Sequence, residues 1–514
     1  MASGATFQLV AVVIYLVGML LVGWWASRAT ANSADEYLVA GRRFPLWMVT
    51  ATLFATWWCG GTAMGSAGAV YEEGIMGVIP DPFAAGACLI IAGLFYMRIL
   101  RRMKLRSMGV AYTNRYGRNV GVVASIIMVY VYVLYLAVQF MGVGKVFSTI
   151  LGLPYELTSV VGALVLIAYT YLGGIVAVAW TDFFQMLLIL LGLIAILPMA
   201  ISKAGGWNAV IRSPSDTSWW YFFPHTTSFE GWMVYLAAWL GMGLGCITEP
   251  ELLQRAFIAK DERTAVNASL ITGGMYLSLG WIPILLGFAG IALVNQGVIP
   301  ADALAEDSEV LVPLIAKTLL SPLPLAIFLS SLLAGLMSTG DSVLFSNAVI
   351  VSNDLYRAVK KKWLGTDLSE KELFVATKIA ILALGALSLI VGLSMESLYD
   401  LMVYSYSLLF CMLFMPFTAG LYWQKANAPG AMAGMLGGLA VIVYGMITCR
   451  SIVPEPEWAY ILISPLASLV SMIVVTLATQ KSHPPRPLLS EYNEIVKWPE
   501  LVTPEMDAKP YVVE

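Results

Sequence analysis

Charged side chains are scarce in this sequence. Only 12% of its 514 residues are Asp, Glu, Lys or Arg, about half the share that is usual in a soluble domain. Hydrophobic residues make up 59% of the chain, and its mean hydropathy is +0.80. The net charge of −3 and the lack of a long basic run argue against a nucleic-acid partner. The composition instead indicates a protein whose main partner is the lipid bilayer.

Histidine and paired cysteine are also nearly absent. The only histidines are His225 and His483, and the five cysteines are scattered without a CxxC pair, which argues against a zinc site or a disulfide framework. The stretch "GVGKVFS" (142–148) lacks the first glycine of a P-loop, and Val146 stands where Ser or Thr would follow Lys145. We therefore expect neither an ATP-driven pump nor an enzyme.

Apolar runs long enough to cross a membrane, about 20 residues each, recur about thirteen times. They predict an all-α integral membrane protein with about 13 transmembrane helices. The first run has no basic stretch before it and no cleavage site after it, so we interpret it as a retained helix. The predicted segments are 6–26, 45–71, 77–98, 119–147, 156–177, 180–201, 229–247, 269–293, 323–351, 374–392, 397–420, 428–448 and 457–478.

Lys and Arg are concentrated in three of the predicted loops, 98–118, 248–268 and 352–373. If the segments alternate in direction, these loops and the C-terminal tail share one side of the membrane, which the positive-inside rule assigns to the cytoplasm. We therefore expect a multi-pass protein of the cell membrane, with its N-terminus outside and its C-terminus in the cytoplasm. The polar, Pro-rich residues 481–514 are predicted to be a short soluble cytoplasmic tail.

Two of the predicted segments carry helix-breaking residues. Glycines crowd "CGGTAMGSAG" in the second segment, and glycines followed by Pro250 mark "GMGLGCITEPELLQR" in the seventh. Interrupted helices survive inside a membrane only where they line a cavity, and paired interruptions in two halves of a chain indicate a transporter site. The alternative is that the glycines only allow close helix packing.

Five segments separate the two interruptions, and an odd number reverses the orientation of a repeat. The spacing predicts two inverted repeats, 45–201 (segments 2–6) and 229–420 (segments 7–11). The first segment and its loop, 1–44, precede them, and 421–480 adds segments 12 and 13.

Three stretches together resemble the sodium/solute symporter family, which carries solutes such as glucose, proline, pantothenate and choline. They are "YTYLGGIVAVAWTDFFQMLLILLG" (Tyr169 to Gly192), "DEYLVAGRR" (Asp35 to Arg43) and "LMSTGDSVLFSNAVIVSNDLY" (Leu336 to Tyr356). The nearest motifs are those of choline and proline carriers. The resemblance implies a LeuT-like fold, an inverted five-plus-five helix repeat with flanking helices, and symport of a small molecule by alternating access with Na+ as the coupling ion.

Gly335, Ser338 and Thr339 lie at i, i+3 and i+4, which places them on one face of the predicted ninth helix. Two hydroxyls and a carbonyl are hard oxygen donors that suit a small alkali cation. The resemblance implies that these three residues bind sodium together with the backbone carbonyls of Ala55 and Trp58 from the broken second helix.

Asp341 and Ser342 continue the same face, and Asp182 begins the sixth segment. Some family members bind a second sodium here, which makes Asp182, Ser338, Asp341 and Ser342 a candidate second cation site, although the family has a hydroxyl at the position of Asp341. The carboxylate strengthens a cation site, or it forms an acidic pair in which a proton replaces the ion. A third alternative is a hydrogen-bonded polar residue with no ion.

The resemblance places the solute at mid-membrane beside the break in the second helix. The acids there and Trp57, which matches an aromatic cage position of choline carriers, favour an amine or quaternary ammonium compound. The candidate substrate residues are Trp57, Thr62, Asp81, Glu249, Glu251 and Tyr404.

Other interpretations of the solute site stay open. An amino acid or carboxylate would use a half-helix N-terminus to bind its carboxylate. Glu249 and Glu251 would pair with Arg255 and Lys260 at a cytoplasmic gate if their role were structural. A solute-binding sensor and an uncoupled pore on a transporter fold are the alternatives of another class.

Overall fold

The computed structural model describes residues 2–27, 34–172, 174–226, 228–451 and 453–496. The last part of the predicted tail, 497–514, and part of the loop predicted after the first segment, 28–33, lie outside the described residues. The described chain is helical almost throughout and contains no β-strand, only isolated bridges such as Phe44 with Ala259.

The first part of the chain runs through ten α-helices up to Lys203. They are α1 (Ala2–Ser27), α2 (Ala34–Val39), α3 (Leu46–Trp57), α4 (Ser66–Glu73), α5 (Ala85–Ile91), α6 (Met97–Met103), α7 (Met108–Tyr116), α8 (Arg118–Leu151), α9 (Tyr155–Leu172) and α10 (Ile175–Lys203).

The second part of the described chain contains fourteen α-helices, from Trp207 to Thr479. Its helices are α11 (Trp207–Ile211), α12 (Phe229–Gly245), α13 (Pro250–Ile258), α14 (Glu262–Leu279), α15 (Trp281–Asn295), α16 (Asp302–Ala305), α17 (Leu311–Leu319), α18 (Pro322–Val349), α19 (Arg357–Trp363), α20 (Glu370–Gly392), α21 (Leu398–Leu409), α22 (Met415–Tyr422), α23 (Ala428–Cys449) and α24 (Glu457–Thr479).

Turns of π-helix or 3₁₀-helix join several of these helices. The π-helical turns are Gly61–Gly65, Ile79–Ala84, Ala92–Tyr96, Ile350–Tyr356 and Phe410–Phe414. The 3₁₀ turns are Ala40–Arg42, Gly74–Val78, Thr217–Trp220, Cys246–Thr248 and Ser308–Val310.

The described residues contain 11 helices long and apolar enough to span a membrane, and two shorter apolar helices, Leu46–Trp57 and Tyr155–Ala168. The prediction of an all-α membrane protein is therefore confirmed, whereas the count of thirteen spans stays a prediction. In an apolar 18-residue stretch of Pro322–Trp363, 83% of the residues are buried, but in one of Ala428–Cys449 only 28% are. Because lipid-facing side chains are exposed when the bilayer is absent, α18 lies at the centre of the bundle and α23 at its edge.

Both predicted interruptions are present. Trp58 leaves the helical conformation at φ −79° and ψ 69°, and the Cys59 N–H donates to the Trp57 carbonyl at 2.9 Å. In a continuous helix that N–H would bond to Ala55, four residues back. In the second half, Glu249 is extended at φ −71° and ψ 123°, and α13 starts at Pro250. Proline suits that first helical position because its missing N–H leaves no donor unsatisfied.

The two interruptions meet near the centre of the bundle, because α18 packs against α3, α8, α10 and α13. The predicted soluble tail is docked over its described part. Glu491 donates its N–H to the Met103 carbonyl at 2.8 Å, and the Asn114 amide donates to the Ser490 carbonyl at 3.0 Å. These contacts hold the tail near Ser490 against the region of α6 and α7.

Candidate functional site

The predicted sodium residues lie where α18 meets the break after α3. A Cβ atom on Gly335 would stand 2.6 Å from the carbonyl oxygen of Trp58, so only glycine allows this approach. The Thr339 hydroxyl lies 2.6 Å from the Thr56 carbonyl and 3.1 Å from the Gly335 carbonyl. Both Ser338 and Thr339 are fully buried. Carbonyl and hydroxyl oxygens from the two helices therefore face each other.

The chemistry of this group fits a small alkali cation. Its donors are backbone carbonyls and hydroxyls, and hard cations prefer oxygen ligands. Because the break redirects the Cys59 N–H to the Trp57 carbonyl, the Ala55 carbonyl does not receive the hydrogen bond from Cys59 that a continuous helix would give it. Interrupted backbone of this kind is tolerated at membrane depth where it lines a site. The assignment of sodium to Ala55, Trp58, Gly335, Ser338 and Thr339 stays a prediction.

The candidate second cation site is next to this group, and the guanidinium of Arg255 lies in it. The side chains of Arg255 and Asp182 are both completely buried, and they form an ion pair of 3.2 Å. The Nη2 atom of Arg255 also lies 2.6 Å from Thr56 Oγ1, 2.7 Å from Ser342 Oγ and 3.1 Å from Thr52 Oγ1. A positive charge thus lies among the predicted residues, and it belongs to the protein itself.

The other predicted members of that site are also brought together. Ser338 Oγ donates to Asp182 Oδ1 at 2.5 Å, and Thr52 Oγ1 donates to Asp182 Oδ2. Ser342 Oγ donates to Asp341 Oδ1 at 3.2 Å. Sequence reasoning missed Arg255, which it paired with glutamates at a gate. The available signal was Asp182, since a carboxylate at membrane depth needs a partner.

Three of the predicted substrate residues form a buried cluster with a tyrosine that sequence reasoning missed. The Thr62 hydroxyl lies 2.6 Å from Asp81 Oδ2, and the Tyr276 hydroxyl lies 2.7 Å from Asp81 Oδ1. Thr62 and Tyr276 are 2.5 Å apart, and the Trp57 ring stands edge-on to the Tyr276 ring at 6.0 Å. No pattern in "GGMYLSLG" indicates that Tyr276 faces this cluster rather than lipid.

Glu249 extends the polar region along the second break. Its carboxyl group lies beside Cys246 and Tyr406, and the Tyr406 ring is 4.7 Å from that of Tyr135. Within the described residues, Glu249 Oε1 and Trp57 Nε1 are buried without a hydrogen-bond partner. Because both atoms border the cluster around Asp81 and lack a partner, they are available to bond a polar ligand there.

Two predicted substrate residues are not brought into the cluster. Tyr404 lies near Tyr130, Cys411 and Glu457, because residues two apart on a helix, such as Tyr404 and Tyr406, point to nearly opposite faces. Glu251 is buried on α13, where its backbone carbonyl lies 3.4 Å from Arg255 Nη1. Their role in substrate binding stays a prediction.

A cavity of about 520 Å³ lies at one end of the bundle. Tyr399 lies in its floor, with its hydroxyl 3.0 Å from the Gly77 carbonyl and 3.4 Å from the Asp81 carbonyl, so its ring separates the cavity from the cluster around Asp81. Eight acidic residues and neither Lys nor Arg are among the described lining residues. The acids are Glu72, Glu73, Glu306, Asp307, Glu309, Glu396, Asp400 and Glu457.

Lys145 pairs with two of these acids, at 2.8 Å with Asp307 and also with Glu309. Burial raises the pKa of Glu309, and the neighbouring Lys145 opposes that shift. Because Lys145 is 27 residues beyond Arg118 along α8, the cavity lies roughly 40 Å from the basic loop. The acidic and basic ends of the bundle are therefore opposite each other.

At the basic end, the residues that follow Arg255 are hydrogen-bonded to neighbouring elements. The backbone N–H of Phe44 donates to the Ile258 carbonyl at 3.1 Å, and that of Lys260 donates to the Phe44 carbonyl at 3.0 Å. Arg101 Nε donates to the Ala259 carbonyl at 2.6 Å. The end of α13 is thus tied to the loop before α3, while the cavity lies at the acidic end.

Comparisons with known proteins agree with this architecture. A model of the sodium:solute symporter family matches residues 37–438. The chain is 28% identical over 515 residues to a sodium/proline symporter of Haemophilus influenzae, with 95% of this chain and 98% of that protein covered. It is 26% identical over 452 residues to the high affinity choline transporter 1 of Homo sapiens, with 85% and 76% covered.

Among solved structures, the chain resembles a Na+-coupled sialic acid symporter in its substrate-bound, outward-open state. The TM-score is 0.77 at 21% identity, and the match covers 94% of this chain and 99% of that one. The similarity confirms the predicted LeuT-like fold. The predicted bounds of the two repeats stay a prediction.

Proposed function

Because the chain belongs to the sodium:solute symporter family, we propose that it moves a small organic solute across the cell membrane together with sodium by alternating access. It is a multi-pass membrane transporter and not an enzyme. The proposed orientation has the acidic cavity outside and the basic loops in the cytoplasm, in accord with the positive-inside rule.

The observation that carries sodium coupling is the approach of Gly335 on α18 to the Trp58 carbonyl at the break after α3. A cation bound between these elements attracts both, and it thereby holds the break in one geometry. Trp57 and Thr62 flank the same break, so a bound sodium preorganises the solute cluster. Inward movement of one positive charge adds about 2.3 kcal/mol per 100 mV of membrane potential to the driving force.

The proposed substrate class is an amine or quaternary ammonium compound. Asp81 and Glu249 supply buried carboxyl groups, and Trp57 supplies an aromatic face, which together suit a desolvated cation. The acidic cavity lies above the cluster and raises the local concentration of cations. A sensor or an uncoupled pore would use the same cluster without accumulating the solute.

An amino acid is the second candidate, favoured by the break itself. The Gly60 N–H, at the start of the second half of the broken helix, lies 3.4 Å from the Gln139 side-chain oxygen. Such a half-helix N-terminus attracts a carboxylate, while Asp81 and Glu249 would bind the ammonium group of the same molecule. The sodium/proline symporter similarity agrees with this alternative.

The test starts with purified protein and a thermal-shift screen of quaternary ammonium compounds, zwitterionic amino acids, sugars and carboxylates, each in sodium and in potassium. We expect quaternary amines to stabilise the protein only in sodium. Under a sodium gradient, the concentration of the best ligand inside proteoliposomes should rise above the outside concentration. Without the gradient, the inside concentration should only become equal to the outside one. Binding without accumulation would contradict symport, and stabilisation that is equal in potassium would contradict coupling.

Variants of the cluster separate solute binding from sodium binding. Asp81→Asn and Glu249→Gln should each weaken binding of the cationic ligand at least roughly tenfold, the effect of losing one charged hydrogen bond. Their sodium-induced stabilisation should persist. Asp354→Asn, which removes an acid at the basic end that accepts a hydrogen bond from Ser107 at 2.6 Å, is the matched control. If all three variants lost ligand binding equally, the assignment of the cluster would be wrong.

A further inference from the structure

Arg255 is a buried charge that the proposed transport cycle does not yet use. It lies on α13 beyond the break at Glu249, and its side chain is completely buried. Burying a guanidinium is costly unless it is paired and hydrogen-bonded, and arginine cannot shed its proton in a protein. The charge is therefore a permanent component of the site into which it points.

The guanidinium is directed at the oxygens that a second cation would use. Its Nη2 atom lies 2.7 Å from Ser342 Oγ and 3.2 Å from Asp182 Oδ2, two of the four residues of the candidate second cation site. Thr52 and Thr56 complete its contacts at 3.1 and 2.6 Å. A sodium ion bridging Asp182 and Ser342 would have to occupy the place of Nη2.

The charge of the guanidinium also opposes a sodium ion at this position. A sodium ion within a few ångströms of the guanidinium would be repelled strongly in the low dielectric of the interior. Asp182 already has its counter-charge at 3.2 Å, and Ser338, Ser342 and Thr52 all donate hydrogen bonds to the carboxylates of the site. Three groups of the chain itself, Arg255, Ser338 and Thr52, therefore already bond Asp182.

We propose that Arg255 is a built-in cation that takes the place of a second sodium between Asp182 and Ser342, so that this chain binds a single sodium ion. This proposal rests on the proposed sodium coupling at Gly335, Ser338 and Thr339. The ligands of the remaining ion are then uncharged oxygens, with the Asp182 carboxylate behind Ser338. The stoichiometry of transport is set by a side chain rather than by a dissolved ion.

The test counts sodium ions bound to the full-length protein in lipid nanodiscs, by equilibrium binding of radioactive sodium at saturation. The wild-type protein should bind a single sodium per chain. Two ions per chain would overturn the proposal and leave sodium coupling intact, whereas no bound ion would overturn the proposed function itself.

Variants of Arg255 sharpen the count. Arg255→Gln should admit a second sodium and steepen the sodium dependence of binding, whereas Arg255→Lys, which keeps the charge, should still bind a single ion. If Arg255→Gln does not fold, Arg255→Met, which keeps the length of the side chain without its charge, should admit a second sodium in the same way. A folded Arg255→Gln protein that binds no additional sodium would contradict the proposal.

Discussion

Two neighbouring cation environments in this bundle are built from different oxygens. The group around Gly335, Ser338 and Thr339 contains neutral carbonyls and hydroxyls, whereas the group next to it contains the carboxylates Asp182 and Asp341 with a fixed guanidinium. In a low-dielectric interior, a carboxylate binds a cation far more strongly than a neutral oxygen does. A transported ion must also leave its site, so the neutral group suits exchange and the carboxylate group suits a permanent charge.

Removing the two hydroxyls of the neutral group should have the largest effect. Ser338→Ala with Thr339→Ala deletes two ligands, each worth about 1–3 kcal/mol when its partner stays buried. We expect the half-maximal sodium concentration for uptake to rise at least roughly a hundredfold. Uptake measured against sodium concentration in proteoliposomes checks this.

Ser330→Ala is the matched control for the double variant. Ser330 is a buried serine on the same helix, and among the described residues its hydroxyl bonds to the Ala326 carbonyl of its own turn, at 2.9 Å. Its sodium dependence should stay that of the wild type. If the double variant folded and kept the wild-type sodium dependence, the neutral group would not be the ion site.

The next largest effect should come from the close approach of Gly335 to the Trp58 carbonyl, which brings the two helices of the neutral group together. Gly335→Ala places a Cβ atom 2.6 Å from the Trp58 carbonyl, which forces the break and α18 apart. We expect roughly a tenfold loss of sodium affinity, the order expected for one displaced ligand, measured as sodium-dependent thermal stabilisation.

Gly340→Ala controls for adding a methyl group to α18. Its Cβ would meet the flexible end of the Leu166 side chain rather than a backbone atom, so it should cost stability without changing sodium affinity. Equal losses of sodium affinity in both variants would mean that the approach of Gly335 to Trp58 has no special role.

The comparison also shows what the sequence could and could not predict. The i, i+3, i+4 spacing of Gly335, Ser338 and Thr339 is a property of one helix, so a single sequence is enough to place them on one face. The breaks at Trp58 and Glu249 followed from glycine and proline, whose conformational preferences are local.

Contacts between separate helices could not be predicted from local sequence patterns. Arg255 lies on α13, a nine-residue helix whose rotation relative to α3 and α10 depends on packing, so its pairing with Asp182 could not be derived from spacing. Tyr404 is predicted as a substrate residue, but the tyrosine that lies beside Glu249 is Tyr406. The phase of a broken helix is set by tertiary contacts.

A smaller effect should follow from the solute cluster, which borders the neutral group across the break. Tyr276→Phe removes the hydroxyl 2.7 Å from Asp81 and keeps the ring. We expect solute binding to weaken by roughly three- to tenfold, as for a hydrogen bond to a charged group, while sodium binding is unchanged. Tyr112→Phe is the control, because the Tyr112 hydroxyl is equally buried and donates a hydrogen bond to the Leu413 carbonyl at 3.0 Å, away from the cluster. Equal effects of the two variants would remove Tyr276 from the solute site.

The smallest effect should come from the acidic side chains that line the open cavity. Salt screens their charges, whereas it screens the two buried groups much less. Glu72→Gln with Glu73→Gln removes two acids from the cavity lining, and the local enrichment of a cationic solute should fall accordingly. We expect a two- to threefold weaker apparent affinity at low ionic strength, roughly the effect of surface charge, that disappears when potassium chloride shortens the Debye length to a few ångströms. Glu370→Gln, an exposed acid at the basic end, should show no such change. A loss that persists at high salt would mean that these glutamates contact the solute directly, because a buried contact is screened much less than a distant charge.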